Sequence, residues 1–274
     1  MRTLAILLLL VCTGPATAAE ADPPDIADVP SQDLRAGENE RMRYFLIGPN
    51  ASPVPADGYR LLVVLPGGNG SADFQPFVRR IWKHALGPDF IVAQPVAVKW
   101  MPDQQVVWPT KSDPKVPGQQ FTTEQFVRGV IDDVKSRHRI DARRVILLAW
   151  SSGGPAAYQL SLEKDTPVTG SFIAMSVFKP GDLPPLTQAQ GRPYYLLHSP
   201  DDRTCPFAMA RQAQSRLREA GALVEMKTYR GGHGWNLPVW PAIREGVHWL
   251  VLHPPVAASH PAQIPATATS GPAR

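Results

Sequence analysis

Between residues 40 and 253, short β-rich apolar runs alternate with helical stretches, and this alternation constrains the fold more than any other feature. The runs fall at 43–47, 60–65, 90–93, 145–149, 172–177, 194–198 and 224–229. The helical stretches fall at 73–86, 122–139, 152–163, 206–220 and 238–252. Run 145–149 is apolar at every position, as a strand covered on both faces requires. Phe126, Val130 and Val134 recur at four-residue steps, the spacing of a helix with one buried face. The pattern predicts an α/β fold, a mostly parallel sheet with helices on both faces. Segment 97–121 breaks the rhythm, with Trp100, Trp108, Pro102, Pro109, Pro114 and Pro117 and no regular period. A loop of this length in a compact domain is functional or disordered. Its two Trp residues point to a lid or wall of a site; the alternative is a surface loop tied to the core by its indoles.

The ends of the chain differ from its middle. Arg2, the apolar run 4–11 and the small residues Ala16, Ala18 and Ala19 read as a secretion signal over 1–19. The run is too short to span a bilayer, although an uncleaved anchor is the competing reading. Cleavage removes Cys12 and leaves Cys205 alone, so the mature chain forms no internal disulfide. The expected location is secreted or periplasmic, with no stable membrane insertion. Residues 20–39, rich in Pro, Asp and Ala, read as a flexible lead-in, and 254–274 as a disordered Pro/Ala-rich tail. One domain, 40–253, remains. The formal net charge is +4, and the cations are interleaved with acids, as in Asp132-Asp133-Val134-Lys135. Without a basic block the chain has no electrostatic footprint for nucleic acid.

Four motifs carry chemistry, each directly after a strand. The first is Ala149-Trp150-Ser151-Ser152-Gly153-Gly154. A serine on a sharp strand-to-helix turn needs small residues two before and two after it. Ala149 and Gly153 satisfy that need for Ser151, whereas Trp150 is too large to satisfy it for Ser152. Ser151 is therefore the candidate nucleophile. The second is Pro66-Gly67-Gly68-Asn69-Gly70, whose glycines let backbone N–H groups approach a developing oxyanion. Gly68 or Asn69 supplies one candidate donor and Ser152 the other; an ordinary tight turn is the alternative. The third is His198-Ser199-Pro200-Asp201-Asp202, which offers a carboxylate, and the fourth is Gly231-Gly232-His233-Gly234-Trp235. A serine hydroxyl is a weak nucleophile until an imidazole takes its proton, and that imidazole needs a carboxylate to hold its tautomer. Trp150, Trp235 and Trp108 are candidate substrate-binding residues, with core packing as the other reading. No His/Cys/Asp cluster has metal-ligand spacing.

These motifs resemble the α/β-hydrolase superfamily of serine esterases, including carboxylesterases, dienelactone hydrolases and prolyl-oligopeptidase-like catalytic domains. Asp141-Ala142-Arg143-Arg144-Val145 matches the family's lead into the nucleophile strand. His198, Asp202 and Pro206 match its acid loop, while Ser199 and Cys205 depart from the usual Gly and Val. That match favours Asp202 over Asp201 as the acid. Gly232-His233-Gly234 matches the histidine loop. The resemblance implies an α/β-hydrolase fold and a Ser151–His233–Asp202 triad acting on a small-molecule or polymer ester, without metal or organic cofactor. An oligopeptidase-type serine peptidase and a non-catalytic binding protein of the same fold are the alternatives.

Overall fold

The computed structural model describes residues 23–49 and 53–255. The expected signal over 1–19, and the expected tail over 254–274 apart from its first two residues, lie outside these residues. The sheet has eight strands: β1 (Ser31–Arg35), β2 (Arg43–Ile47), β3 (Tyr59–Leu65), β4 (Phe90–Pro95), β5 (Ile140–Trp150), β6 (Gly170–Ala174), β7 (Pro193–His198) and β8 (Leu223–Thr228). Their order is β1-β2-β4-β3-β5-β6-β7-β8. Strands β3 to β8 run parallel, while β1 and β2 pair antiparallel on one edge. The α-helices are α1 (Gln75–Ile81), α2 (Thr123–Arg137), α3 (Gly154–Ser161), α4 (Phe207–Glu219) and α5 (Val239–Leu252).

The two-residue side-chain period of the central strands divides the core. Leu61, Val63, Leu65, Leu147 and Ala149 pack with Val130 of α2, Ala157 of α3 and Leu217 of α4. Leu62, Val64, Ile146, Leu148 and Trp150 pack with Val78 of α1 and Val247 of α5. Run 145–149 is apolar throughout because alternate residues serve opposite layers. Thr122 caps α2 in a reciprocal capping box with Gln125, which fixes where that helix starts.

Residues 23–39 correct the expectation of a flexible lead-in. Composition hid an edge strand, β1, whose five residues pair with β2. Just before it, Ile26 and Val29 are buried against the α1 side of the sheet. The buried Arg79 guanidinium donates to both of their carbonyls, at 2.7 Å each. Two apolar side chains and one arginine are enough to order a segment whose composition looks polar. The stretch 73–86 also differs from one plain helix. It is a 3-10 turn, then α1, then a π turn at Trp82–Leu86.

Chain order changes direction at β3. The chain passes from β3 to β4 on one side and then crosses to β5 on the other. Parallel sheets open a crevice at such a point, beyond the carboxyl ends of the strands. The loops after β3, β5, β7 and β8 carry the four motifs to that edge.

Candidate active site

Strand β5 ends at Trp150, and the chain turns at once into a 3-10 turn over Ser151–Gly153 and then α3. Ser151 has φ 51°, in the left-handed region that costs a residue with a Cβ. The turn is held from three sides. The buried Ser176 hydroxyl donates to the Ser151 carbonyl at 2.7 Å. Ser152 Oγ donates to the Gly68 carbonyl at 2.9 Å. Gly153 passes so close to β3 that a Cβ there would lie 2.4 Å from the Leu65 carbonyl oxygen. Gly153→Ala is accordingly expected to destabilise the protein by more than about 3 kcal/mol, since the obstacle is backbone and cannot rotate away. Urea unfolding followed by circular dichroism measures the loss.

His233 reaches the turn from the loop after β8. Its Nε2 lies 3.0 Å from Ser151 Oγ, and its Nδ1 lies 2.8 Å from Asp202 Oδ2. The other Asp202 oxygen, Oδ1, accepts the N–H groups of Thr204 and Cys205, both at 2.8 Å. Burial pushes the Asp202 carboxyl up, but the His233 bond and these two N–H groups outweigh it and hold it below the usual range. Asp202 is therefore a carboxylate at neutral pH, and His233 Nδ1 carries the shared proton. Nε2 is then the free lone pair facing the Ser151 hydroxyl. Asp201 is exposed and its carboxylate takes no part in this chain.

A second histidine braces the acid. His198 Nε2 donates to the Cys205 carbonyl at 2.8 Å and lies 3.3 Å from Asp202 Oδ2. Burial holds His198 below the ordinary imidazole value, against the pull of the Cys205 carbonyl and Asp202, so it is neutral near pH 7. Ser199, whose position departs from the family's glycine, is fully buried. Its hydroxyl accepts from Asp201 N and Gly232 N, both at 3.1 Å, and so ties the acid loop to the histidine loop. Tyr229 pins the other side of that loop through its hydroxyl, 2.7 Å from the Gly234 carbonyl. Ser199→Ala leaves two half-buried N–H groups without their acceptor, at about 1 kcal/mol each. A thermal scan is expected to show Tm lower by about 4–8 °C.

The glycine loop after β3 forms a tight turn closed by Gly70 N to Gly67 O, 3.0 Å, with Gly68 and Asn69 at its centre. Gly68 has φ 58°, a conformation glycine adopts freely. A Cβ on Gly67 would lie 2.9 Å from Ser151 Cβ, so this loop touches the serine turn directly. The structure thus sets Gly67 against Ser151 and the Gly68 carbonyl against Ser152. The Ser152 N–H opens a helical turn and has no carbonyl one turn before it to pair with. The Asn69 side chain instead accepts from Ser71 N at 3.1 Å, within its own loop.

The three tryptophans separate. Trp150 is buried beneath Gly67, packed edge-on against Phe74, Phe77 and Trp235 at 5.6–5.7 Å. Trp235 continues that cluster on the His233 side. Trp108 is 3% exposed and donates Nε1 to the Pro66 carbonyl at 2.9 Å. Segment 97–121 is fastened by this bond and by Thr123 N to Pro109 O, 2.8 Å. It also walls a cavity of about 240 Å³ that includes Trp108, Ser152, Pro155 and Gln159. Sequence motifs did not point to Ser176, Tyr229 or Gln159, because each acts through position in the fold; Ser199 was visible only as a departure.

Asp202, Cys205 and His233 place metal-ligating atom types within 4.8 Å of one another. Their chemistry does not suit an ion. The Asp202 oxygens and His233 Nδ1 are engaged with each other and with backbone, and burial followed by Asp202 pushes the Cys205 thiol up to about 11.

No family model matches the chain. No curated protein matches it in sequence. Solved structures do resemble it. A thermostable esterase superposes with TM-score 0.63 at 21% identity, over 84% of this chain and 64% of that one. Thermogutta terrifontis esterase 2, phosphonylated by cyclosarin, superposes with TM-score 0.60 at 15% identity, over 81% and 94%. The Bacillus cereus carboxylesterase gives 0.55 at 13%, over 83% and 95%. This chain thus spans just under two thirds of the first of these proteins. By its strand order and by these likenesses, the chain has the α/β-hydrolase fold.

Proposed function

We propose that this protein is an exported serine hydrolase that cleaves carboxylic esters through an acyl-enzyme. The observation that carries the reading is the unbroken relay from Ser151 Oγ through the His233 ring to Asp202, 3.0 and 2.8 Å long. His233 Nε2 takes the Ser151 proton as Oγ bonds to the ester carbonyl carbon. The carbonyl oxygen becomes an oxyanion, stabilised by N–H groups of Ser152 and of Gly68 or Asn69. The carbon–alkoxy bond then breaks, and Nε2 returns its proton to the departing alkoxide. Water repeats the sequence, giving the acid and restoring Ser151. Asp202 stays ionised throughout and stabilises the imidazolium. The N-terminal segment 1–19 supplies the export signal.

Reporter-tagged fluorophosphonate tests the reading, because it labels only a serine whose proton is being drawn away. The expected result is one adduct per chain, carried on the peptide containing Ser151. A folded protein that takes up no label would favour the non-catalytic alternative.

A further inference from the structure

Among the buried polar side chains to which the proposed ester chemistry gives no role, one lines a cavity beside the candidate site. Gln159, on α3, is 2% exposed. Its amide oxygen accepts from Ser112 Oγ at 3.2 Å, but its amide nitrogen has no hydrogen-bond partner among the described residues. Buried donors are nearly always paired, so an unpaired one calls for an explanation. Gln159 lines the cavity of about 240 Å³ described above. Ser152, Pro155 and Gln159 follow at steps of three and four and share one face of the helical segment that begins at the candidate nucleophile. Seven helical residues span about 10 Å, so the cavity leads from the turn beside Ser151 to Gln159. Val107, Trp108, Val177 and Leu183 make its walls largely apolar.

We infer that this cavity receives the acyl arm of the ester, and that the Gln159 amide donates to a neutral oxygen near the far end of that arm. The inference rests on the ester-hydrolase reading above. The alcohol must leave towards His233 Nε2, which protonates it, and no residue of the acid loop or the histidine loop lines the cavity. The Ser152 side therefore remains for the acyl arm. Asp113 and Asp182 accompany Lys179 on the lining, which disfavours a free carboxylate and selects an uncharged acceptor. A hydroxyl, ether or second ester carbonyl roughly five to seven bonds from the scissile carbonyl fits, the Gln159 side chain covering the rest of the span. The substrate class is an ester whose acyl chain carries such an oxygen, as in a diester or a polyester repeat.

Three p-nitrophenyl esters test this: the acetate, the hexanoate and the methyl adipate, whose far end is a methyl ester. In the wild-type protein kcat/KM for the adipate is expected to exceed that for the hexanoate by about tenfold. Gln159→Leu and the longer, unbranched Gln159→Met are expected to bring the ratio close to one, with acetate turnover within about twofold of wild type as proof of folding. A wild-type ratio near one, or a ratio that survives both substitutions, overturns the inference. Acetate cannot reach Gln159, so it reports the chemistry alone. Acetate turnover without discrimination sinks only this inference, whereas no turnover of any ester sinks the ester reading and this inference with it.

Discussion

Asp202→Asn is expected to lower kcat by about 10⁴-fold, while Asp201→Asn lowers it by less than about threefold. The reason lies in what each Asp202 oxygen does. Oδ1 accepts two backbone N–H groups, from Thr204 and Cys205, so an asparagine must keep its oxygen there. Its amide nitrogen then takes the place of Oδ2 and meets His233 Nδ1 as a donor. The imidazole can answer only by moving its proton to Nε2, and in that tautomer it cannot accept the proton of Ser151. The fold survives, because the amide fills the same space and keeps the loop bonds. Asp201 is exposed, and its backbone N–H, not its carboxylate, enters the network. Steady-state kinetics on a p-nitrophenyl ester separates the two variants, and the reverse ranking would transfer the acid role to Asp201.

How much of this was legible beforehand depends on the range of the forces involved. Run 145–149 announced a central strand because both of its faces are buried, and the turn at Ser151 announced itself through steric need at Ala149 and Gly153. The approach of Gly153 to the Leu65 carbonyl is the physical form of that need. Choosing Asp202 over Asp201 took a family resemblance, since neither spacing nor composition separates adjacent aspartates; only the fold shows which one turns towards His233. Strand β1 was missed because Ser31–Arg35 is polar and only half-buried, so its order comes from pairing with β2 and from neighbours distant in sequence. His84 packs on Trp240 at 5.6 Å and His138 meets Tyr59 edge-on at 6.3 Å, contacts that no local pattern announces. Ser176, Ser199 and Gln159 were not legible as parts of a site. A lone serine or glutamine carries no signal until the fold puts a carbonyl, a loop or a cavity beside it.

The second large effect is expected at the serine itself. Ser151→Ala removes the oxygen that the proposed mechanism acylates, and leaves the relay from His233 to Asp202 without a proton source. Removing such a nucleophile costs about 10⁶-fold in kcat where a relay of this type works as a unit. Substitution at a residue with φ 51° changes the fold little, since alanine carries the same Cβ strain as serine. The measurement that tests the account most directly is therefore release of p-nitrophenol from acetate, butyrate and decanoate esters by the wild-type protein and by Ser151→Ala side by side. The account predicts turnover in the first and none above background in a folded Ser151→Ala protein. Turnover that persists in Ser151→Ala, or is absent from both, would contradict it.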